Sequence, residues 1–320
     1  MSRPILQVSN LKKHYPLAGG LFGRAKIVHA VDDLSFEVAR GETLALVGES
    51  GCGKSTVGKA VLRLFDITSG QVVLDGMRID ELSDGALRPL RRRMQVVFQD
   101  PFSSLNPRQS VRDAIAEPLR NFGLAASGAE MDRKVSEILD RVRLPRDAAK
   151  RLPHEFSGGQ RQRIGIARAL VLEPELVVCD EPVSALDLSI QAQILNLLVE
   201  MKKRLSLSYL FVSHDLSVVR YFSDRVLVMY LGKIVESAPT AELWASPKHP
   251  YTRALLAAVP DPARRKQAAP ISGDLPSPHN PPSGCRFHTR CPLATDLCRE
   301  KAPDYTLFGK NHAVACHHAQ

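Results

Sequence analysis

Short, wholly apolar runs and longer amphipathic stretches alternate along this chain. An apolar run of four or five residues with no polar face is typical of a strand buried on both faces of a parallel sheet. Apolar residues that recur every three or four positions are typical of a helix that packs against such a sheet. The pattern therefore predicts an α/β fold with a mainly parallel sheet and right-handed crossovers. The predicted strands are residues 43–47, 94–98, 176–179, 208–212 and 226–229, and the predicted helices are residues 131–142, 164–172 and 190–205.

The same pattern divides the chain into four parts. The first part, in which strands and helices alternate, is interrupted by a second part that is helical in pattern and broken at Pro118 and Pro145. The third part continues as helix, and the fourth is a Pro-rich linker that leads into a cysteine-rich tail. The first part is residues 1–108 together with residues 173–235, and the second is residues 109–172. The third part is residues 236–262, and the fourth is residues 263–320.

A glycine-rich loop follows the first buried strand and fits the pattern G-x-x-x-x-G-K-[ST], the phosphate-binding loop when a strand and a helix flank it. Glycines let backbone N–H groups point at a triphosphate, Lys54 adds positive charge for the outer phosphates, and Ser55 offers a hydroxyl to Mg²⁺. The Lys-Ser pair and the flanking elements disfavour the alternative, an ordinary Gly-rich turn. The predicted nucleotide-binding residues are Gly48, Ser50, Gly51, Cys52, Gly53, Lys54, Ser55 and Thr56.

A second anion-binding helix start is predicted at Phe156-Ser157-Gly158-Gly159-Gln160. Ser157 is a good N-cap, the two glycines allow close approach of a backbone, and the positive end of the helix dipole favours a phosphate. Ser-Gly-Gly alone is a common loop. The prediction for this segment is strengthened by the motifs that follow it closely in the chain.

Two adjacent carboxylates, Asp180 and Glu181, directly follow the buried run 176–179. Ligands bind at the carboxyl ends of strands in α/β folds. There Asp180 can complete the coordination of Mg²⁺, and Glu181 can orient or deprotonate the water that attacks the γ-phosphate. A solvated acidic turn is the alternative, and Pro182 together with the next segment, Ser184-Ala185-Leu186-Asp187, disfavours it.

In this order the motifs resemble the ATP-binding cassette (ABC) family over nearly the whole chain. The resemblance implies a P-loop NTPase core of the RecA type, a β-subdomain and a helical subdomain, with the Cys-rich tail as an addition. Segment 156–160 would be the family signature, with Phe156 where Leu is commoner, and it would close on the ATP held by a partner ATPase. Ser184, Ala185, Leu186 and Asp187 would form the D-loop.

The same resemblance implies roles for three single residues. Tyr15 would stack on adenine, an interaction worth about 1–3 kcal/mol. Gln99 would bind Mg²⁺ with Ser55 and touch the membrane partner, and His214 would contact the γ-phosphate. Gln99, His214 and Glu181 would be the catalytic residues. The alternatives are that Gln99 is an ordinary turn amide and that His214 is an ordinary core histidine.

Within this family the chain resembles the ATPases of oligopeptide and dipeptide permeases. The segments that carry the resemblance are residues 12–16, 16–26, 99–107 and 246–252. The resemblance implies ATP hydrolysis that drives peptide import, with this chain peripheral on the cytoplasmic face of a bacterial cytoplasmic membrane. The implied partners are a second, non-identical ABC ATPase subunit, two integral-membrane permease subunits and, indirectly, a solute-binding protein.

Composition agrees with an ATPase that reaches the membrane through other subunits. No apolar stretch approaches the roughly 18 residues needed to cross a bilayer, and the N-terminus lacks a signal-peptide pattern. The net charge of +9 permits contact with nucleic acid, but no aromatic residues interleave with the basic cluster at 88–93. The alternatives left open are a soluble ABC ATPase acting on nucleic acid, an importer ATPase for nickel or another peptide-like solute, and a regulatory protein. Because the chain has one cassette and no sustained heptads, no nucleic-acid partner is expected.

Four of the six cysteines lie in the tail and are spaced C-x5-C-x6-C-x17-C. Disulfides are disfavoured in a reducing cytosol, so a four-thiolate metal site is predicted. Zinc sites usually contain cysteines two to four residues apart, which this spacing lacks, and the resemblance associates the tail of peptide-permease ATPases with a [4Fe–4S] cluster. Zinc with a substituting histidine, or no metal, are the alternatives. The predicted ligands are Cys285, Cys291, Cys298 and Cys316, whereas packing explains Cys52 and Cys179.

Overall fold

The computed structural model describes residues 3–17, 26–100, 104–259 and 273–319. Parts of three segments discussed above lie outside these residues. They are residues 18–25 of the segment 16–26, residues 101–103 after Gln99, and residues 260–272, which include the start of the predicted linker.

The described residues form the following elements in chain order. The strands are β1 (Leu6–Leu17), β2 (Lys26–Val38), β3 (Thr43–Val47), β4 (Ser69–Leu74), β5 (Met77–Arg78), β6 (Met94–Val97), β7 (Leu176–Asp180), β8 (Ser208–Val212), β9 (Arg225–Tyr230), β10 (Lys233–Pro239), β11 (Thr306–Phe308) and β12 (His312–Val314). The helices are α1 (Lys54–Val61), α2 (Asp84–Arg91), α3 (Val111–Asn121), α4 (Gly128–Arg141), α5 (Gly158–Leu170), α6 (Leu188–Leu205), α7 (Leu216–Phe222), α8 (Thr240–Ala245), α9 (Pro250–Ala257) and α10 (Asp296–Glu300), with 3₁₀ turns at Arg146–Lys150, Pro153–Glu155 and His288–Arg290.

These elements group into two compact units. The first unit consists of Met1–Ile5, Ala39–Gly41 and Glu81–Phe211. The second unit consists of Leu6–Val38, Glu42–Asp80 and Val212–Gln320.

The first unit is built around two buried strands. β7 lies between β8 and β6, and β6 runs parallel to β7. Every residue of β7 and β8 is buried, as expected for apolar runs covered on both faces. Helices α3, α4 and α5 begin after serines whose hydroxyls accept a backbone N–H of the first turn, which fixes where each helix starts. These serines are Ser110, Ser127 and Ser157.

The predicted break at Pro118 is wrong. Helix α3 continues through this residue to Asn121, and the carbonyl of Pro118 accepts the N–H of Phe122 at 3.1 Å. A proline inside a helix removes one donor, but the buried Ile115 and Leu119 keep this helix packed in place. The break predicted at Pro145 is confirmed, because Pro145 precedes the 3₁₀ turn Arg146–Lys150.

The second unit contains a separate four-stranded antiparallel sheet, in the order β2-β1-β4-β5, and a row of strands in the order β11-β12-β10-β9-β3. β3 and β9 are parallel, whereas the pairs from β9 to β11 are antiparallel. The mainly parallel sheet expected from the sequence is therefore corrected to a mixed one. β9 and β10 are joined by Leu231 and Gly232, both at positive φ (42° and 79°), and such a two-residue turn forces antiparallel pairing.

The cysteine-rich tail is part of the second unit. Strand β12 pairs with β10 through Ser237 and Ala313. Beside this ladder, the imidazole of His312 lies 2.7 Å from a carboxylate oxygen of Glu236, and both side chains are buried. The carboxylate of Glu236 also accepts the N–H groups of Lys248 and His249 at 2.7 and 3.0 Å. These contacts join the tail to helix α9.

In the part of the chain that the structure describes, no helix is both long enough and apolar enough to cross a membrane.

His249 gives the second unit a pH dependence. The imidazole is buried, and its Nδ1 accepts the N–H of Tyr251 at 3.0 Å, which caps α9. Burial lowers the pKa of His249 from 6.5 to about 3. The unfolded chain therefore binds this proton near pH 6.5, whereas the folded chain does not. The stability contributed by neutral His249 is full above pH 6.5 and is lost as the pH falls towards 3.

We expect the free energy of unfolding of the wild type to fall, relative to that of His249→Asn, by up to about 1.4 kcal/mol per pH unit below the ordinary histidine pKa. Asparagine keeps an acceptor at the cap but does not titrate in this range. Urea unfolding of both proteins between about pH 7.5 and about pH 4.5 measures the difference. A difference that does not change with pH would contradict the prediction.

Candidate functional site

The loop between β3 and α1 has the shape that a phosphate-binding loop requires. Gly48 and Gly53 have φ values of 153° and 109°, in a region that side chains rarely adopt. A Cβ at Gly48 would lie 2.2 Å from the carbonyl oxygen of Met229, and one at Gly53 would lie 2.1 Å from that of Ala30. Neighbouring backbone therefore presses against the loop at both positions, and only glycine fits there.

Lys54 is held inside this loop. Its ammonium group donates to the carbonyl oxygens of Gly48 and Glu49 at 2.8 and 2.9 Å, and the side chain is 5% exposed. The charge therefore lies among the backbone groups that surround a bound phosphate. Cys52, in the same loop, is buried, and burial raises the pKa of its thiol. Its side chain packs inside the loop, where it is 1% exposed.

Glu49 is fixed by three groups of the second unit. Its backbone N–H donates to the hydroxyl of Tyr251 at 2.9 Å, and its carbonyl accepts from Lys54 as described above. Its carboxylate accepts from Nη1 of Arg290, which lies 2.9 and 3.2 Å from the two oxygens. Burial raises the pKa of Tyr251, so this phenol stays neutral.

Tyr15 and His214, both predicted from the sequence, lie in the second unit with the loop. Tyr15 is half-buried, and its side chain is hydrogen-bonded to that of Thr56 in α1; burial raises the pKa of the phenol. His214 is exposed and follows Ser213, whose N–H donates to the carbonyl of Leu46 at 3.2 Å. This bond sets His214 beside the end of β3, where the phosphate loop begins.

The two predicted carboxylates lie in the first unit, at the carboxyl end of β7. Asp180 is 9% exposed. Glu181 has a φ of 49°, which is uncommon for a residue with a side chain and is a kind of strain found at functional sites. Its carbonyl accepts the hydroxyl and the N–H of Ser184 at 3.1 and 3.3 Å, so the start of the predicted D-loop holds Glu181 in this conformation.

The predicted signature segment also lies in the first unit and forms the capped helix start expected from the sequence. The hydroxyl of Ser157 accepts the N–H of Gln160 at 3.4 Å, and the side-chain oxygen of Gln160 accepts the N–H of Ser157 at 3.0 Å. A Cβ on Gly158 would lie 3.5 Å from Leu186, and one on Gly159 only 2.4 Å from Ile190. Leu186 of the predicted D-loop therefore lies next to Gly158, and a side chain at position 159 would require Ile190 to shift.

Helix α5 also holds the chain on both sides of Gln99, which is itself exposed. The amide of Gln162 donates to the carbonyl of Phe98 at 3.4 Å, and Arg168 donates to the carbonyl of Ser104 at 2.6 Å. Burial lowers the pKa of Arg168. The structure therefore brings Gln99, the signature segment and the D-loop into one unit, which also contains Asp180 and Glu181.

The four tail cysteines form one group. Cys285 lies near the other three thiols, and Cys291, Cys298 and Cys316 lie near one another. Burial raises the pKa of Cys285 to about 11, and the neighbouring thiols add to the rise. Burial likewise raises the pKa of Cys291 and Cys316. Gly284 permits this arrangement, since a Cβ there would lie 2.4 Å from the carbonyl oxygen of Cys298.

One other group resembles a metal site. Among the described residues, the three metal-binding side chains with donor atoms all within 4.8 Å of one another are His14, His29 and Asp32. Partial burial would raise the pKa of Asp32, but Arg286 and Lys233 outweigh it and hold this pKa below its usual value. Two cations already balance the carboxylate, and His14 is hydrogen-bonded to both other members. We therefore assign no ion to this group.

The sequence patterns missed Arg290, Tyr251 and Arg286 as neighbours of the phosphate loop. Arg290 lies beside a predicted cysteine ligand, but it is 241 residues from Glu49, and no periodicity joins the two. The aromatic residue Tyr251 lies in a segment that supported only the family resemblance.

Comparisons with known proteins show the family to which the chain belongs. Residues 31–184 match the family described as "ABC transporter", and residues 235–298 match "Oligopeptide/dipeptide transporter, C-terminal region". The chain is 52% identical over 320 residues to the oligopeptide transport ATP-binding protein AppF of Bacillus subtilis, covering 98% of this chain and 97% of that one. It is 47% identical over 318 residues to the di/tripeptide transport ATP-binding protein DppF of Pseudomonas aeruginosa, covering 99% and 98%.

Among solved structures, a dimer of the ATP-binding cassette MJ0796 in a post-hydrolysis state with ADP and Pi is similar. Its TM-score is 0.66 at 29% identity, and the match covers 73% of this chain and 98% of that one.

The shape of the phosphate loop can be tested with Gly53→Ala. The added methyl group would meet the carbonyl of Ala30, so the loop must shift, and we expect the Kd for MgATP to rise at least about tenfold. Gly85→Ala is the control, because it adds a methyl group where nothing lies within 4 Å. Equilibrium dialysis with MgATP measures both. Wild-type affinity in Gly53→Ala would show that phosphate binding does not depend on this loop shape.

Proposed function

The chain belongs to the ABC family as an ATP-binding subunit of an oligopeptide/dipeptide transporter, and we propose how its residues perform that work. It is an ATPase that couples ATP hydrolysis to peptide import. The observation that carries the proposal is the phosphate loop, in which Lys54 lies among the carbonyls of a loop that tolerates only glycine at two positions.

The second unit supplies the groups that bind the nucleotide. Tyr15 stacks on the adenine, with Thr56 beside it. Lys54 attracts the outer phosphates, and the backbone N–H groups from Gly48 to Ser55 bind their oxygens. His214 contacts the γ-phosphate, since Ser213 fixes it beside the end of β3.

The first unit supplies the groups that act on Mg²⁺ and water. Asp180 would hold Mg²⁺, and Ser55 and Gln99 offer further oxygen atoms of the kind that Mg²⁺ prefers. Such an ion would neutralise charge on the phosphates. Glu181 orients the attacking water and accepts its proton, and the strained backbone at φ 49° supports this role by holding the carboxylate in one direction.

We assign the signature segment to the nucleotide of a partner ATPase. The capped start of α5 leaves N–H groups and a positive dipole end available for phosphate oxygens. Exposure of Ser157 and Gln160 supports this assignment. The partner is a second, non-identical ABC ATPase, and two membrane subunits with a solute-binding protein complete the importer. Residues 109–172 act as the helical subdomain, and the chain works at the cytoplasmic face of the membrane, bound through the permease subunits.

Glu181→Gln tests the general base. The amide keeps the shape of the side chain but loses its basicity, so we expect ATP to bind normally while turnover falls about 100-fold or more. The matched control is Glu137→Gln, an exposed glutamate of the same unit, which should turn over ATP normally. Phosphate release and MgATP binding are both measured. Wild-type turnover of Glu181→Gln would overturn the assignment.

We further propose that the tail cysteines hold a [4Fe–4S] cluster. Tetrahedral zinc with bonds of about 2.3 Å needs sulfur atoms only about 3.8 Å apart. The four thiols lie near one another. However, no three of their sulfur atoms all lie within 4.8 Å of one another, as the donor atoms of His14, His29 and Asp32 do. A cubane holds its thiolates farther apart than a single ion does. The wider separation of the thiols favours the cluster over zinc, and the cluster would stabilise a segment with few buried apolar side chains.

Anaerobic purification tests this proposal. We expect brown protein with about four irons per chain and broad absorption near about 400 nm. Changing any one of Cys285, Cys291, Cys298 or Cys316 to Ser should bleach the protein and make the tail sensitive to protease, whereas Cys52→Ala should retain the iron. Colourless protein with one zinc per chain would replace the cluster by a zinc site. A metal-free tail that resists protease would overturn both.

A further inference from the structure

The segment from Cys285 to Cys291, here called the latch segment, packs against other residues of the second unit beside the phosphate loop. Phe287 is 2% exposed, and its ring lies 5.2 Å from that of Tyr230 and 5.4 Å from that of Tyr251. Burial of an aromatic side chain in such contacts is the main apolar stabilisation available to a short segment. The latch segment is therefore docked at its centre.

Arg290 extends from the latch segment to the phosphate loop itself. Its side chain is 7% exposed, and Nη1 donates to both carboxylate oxygens of Glu49. The guanidinium also lies over the ring of Tyr230, 5.9 Å from its centre. A charge pair with one partner this deeply buried is held more tightly than an exposed one, since water screens it less.

Glu49 passes this restraint to Lys54. The carbonyl of Glu49 accepts from the Lys54 ammonium at 2.9 Å, and its N–H is bonded to Tyr251. A shift of Glu49 would therefore move one of the two carbonyls that orient the phosphate-binding charge.

A second contact runs parallel to the first. Arg286 is paired with the carboxylate of Asp32 and donates to the carbonyl of Leu231. The next residue, Gly232, donates its N–H to the carbonyl of Cys52, in the phosphate loop, at 2.9 Å. Two arginines, four positions apart, thus connect the latch segment to the two sides of this loop.

We propose that Arg290 is a positioning residue for ATP binding, which acts through Glu49 on Lys54, and that the cysteine module latches the phosphate loop in its binding shape. Arg290 does not touch the nucleotide. Its effect is on the affinity for ATP, because the loop it restrains binds ground state and transition state alike.

The cysteines set the position of the latch segment. Cys285 and Cys291 are its two ends, and the N–H of Cys285 donates to the carbonyl of Cys298 at 2.8 Å. A thiolate-bound cluster would fix both ends, whereas four protonated thiols would not. This coupling rests on the cluster proposed above, but the restraint by Arg290 does not, because it needs only the docked segment.

The restraint is tested with MgATP and the full-length chain by calorimetric titration. We expect Arg290→Ala and Glu49→Ala each to raise the Kd about tenfold, and the double variant to raise it no further. Arg290→Lys should restore part of the affinity. Arg299→Ala, in the same tail but exposed and paired only with Asp296 among the contacts described, is the control and should bind normally. In the assembled transporter, Arg290→Ala should raise the KM for ATP and leave kcat nearly unchanged.

Thermal unfolding without nucleotide separates positioning from stability. A lower Tm with wild-type Kd in Arg290→Ala would mean a structural role only, and would overturn the proposal. Losses from Glu49→Ala and Arg290→Ala that simply add would also overturn it, since residues acting through one contact are not additive.

The coupling is tested with Cys291→Ser in the wild-type and Arg290→Ala backgrounds, with iron measured in each. Loss of iron should raise the Kd for MgATP about tenfold when Arg290 is present and have little further effect when it is absent. Iron loss with unchanged Kd in both backgrounds would overturn the coupling. If the wild type contains no metal, the cluster proposal fails, and so does the coupling between the cluster and ATP binding. The single and double variants of Arg290 and Glu49 still decide whether Arg290 is a positioning residue.

Discussion

The position of Glu49 is the constraint on which the nucleotide-binding half of this protein depends. Its backbone N–H, carbonyl and carboxylate are each held by a different partner, Tyr251, Lys54 and Arg290. A glycine-rich loop is flexible by composition, so its binding shape has to come from such outside contacts. Here they come from helix α9 and from the tail. The shape of the loop is thus set by contacts with distant parts of the second unit.

Aromatic packing makes these contacts effective. Tyr230, Tyr251 and Phe287 form a buried cluster whose rings lie 4.8 to 5.4 Å apart. Burial raises the pKa of Tyr230 and of Tyr251, so both phenols keep their protons and serve as neutral hydrogen-bonding groups. The same dry environment limits screening of the nearby Arg290 charge. Apolar burial and polar positioning therefore depend on each other in this unit.

In the first unit, one helix contacts several of the functional segments. Helix α5 presents the capped signature segment at its start, and Gln162 and Arg168 along its length hold the chain before and after Gln99. Gly159 lets α6 approach closely, which fixes the D-loop against the signature segment. These segments are therefore all placed by contacts with one helix. The chain couples ATP hydrolysis to peptide import, and this helix gathers the segments proposed to act in that work.

The sequence alone determined the features whose signals are local. The phosphate loop, the serine cap of α5, the buried strands and the carboxylates after β7 each depend on residues a few positions apart, and spacing was enough to predict them. The pairing of β12 with β10, the burial of Glu236 with His312 and the Arg290–Glu49 pair depend on where the tail returns, up to 241 residues from its partner. The periodic pattern of the sequence does not predict contacts between residues this far apart. Only the tertiary structure decided these contacts, because burial brings together charges that solvent would otherwise keep independent.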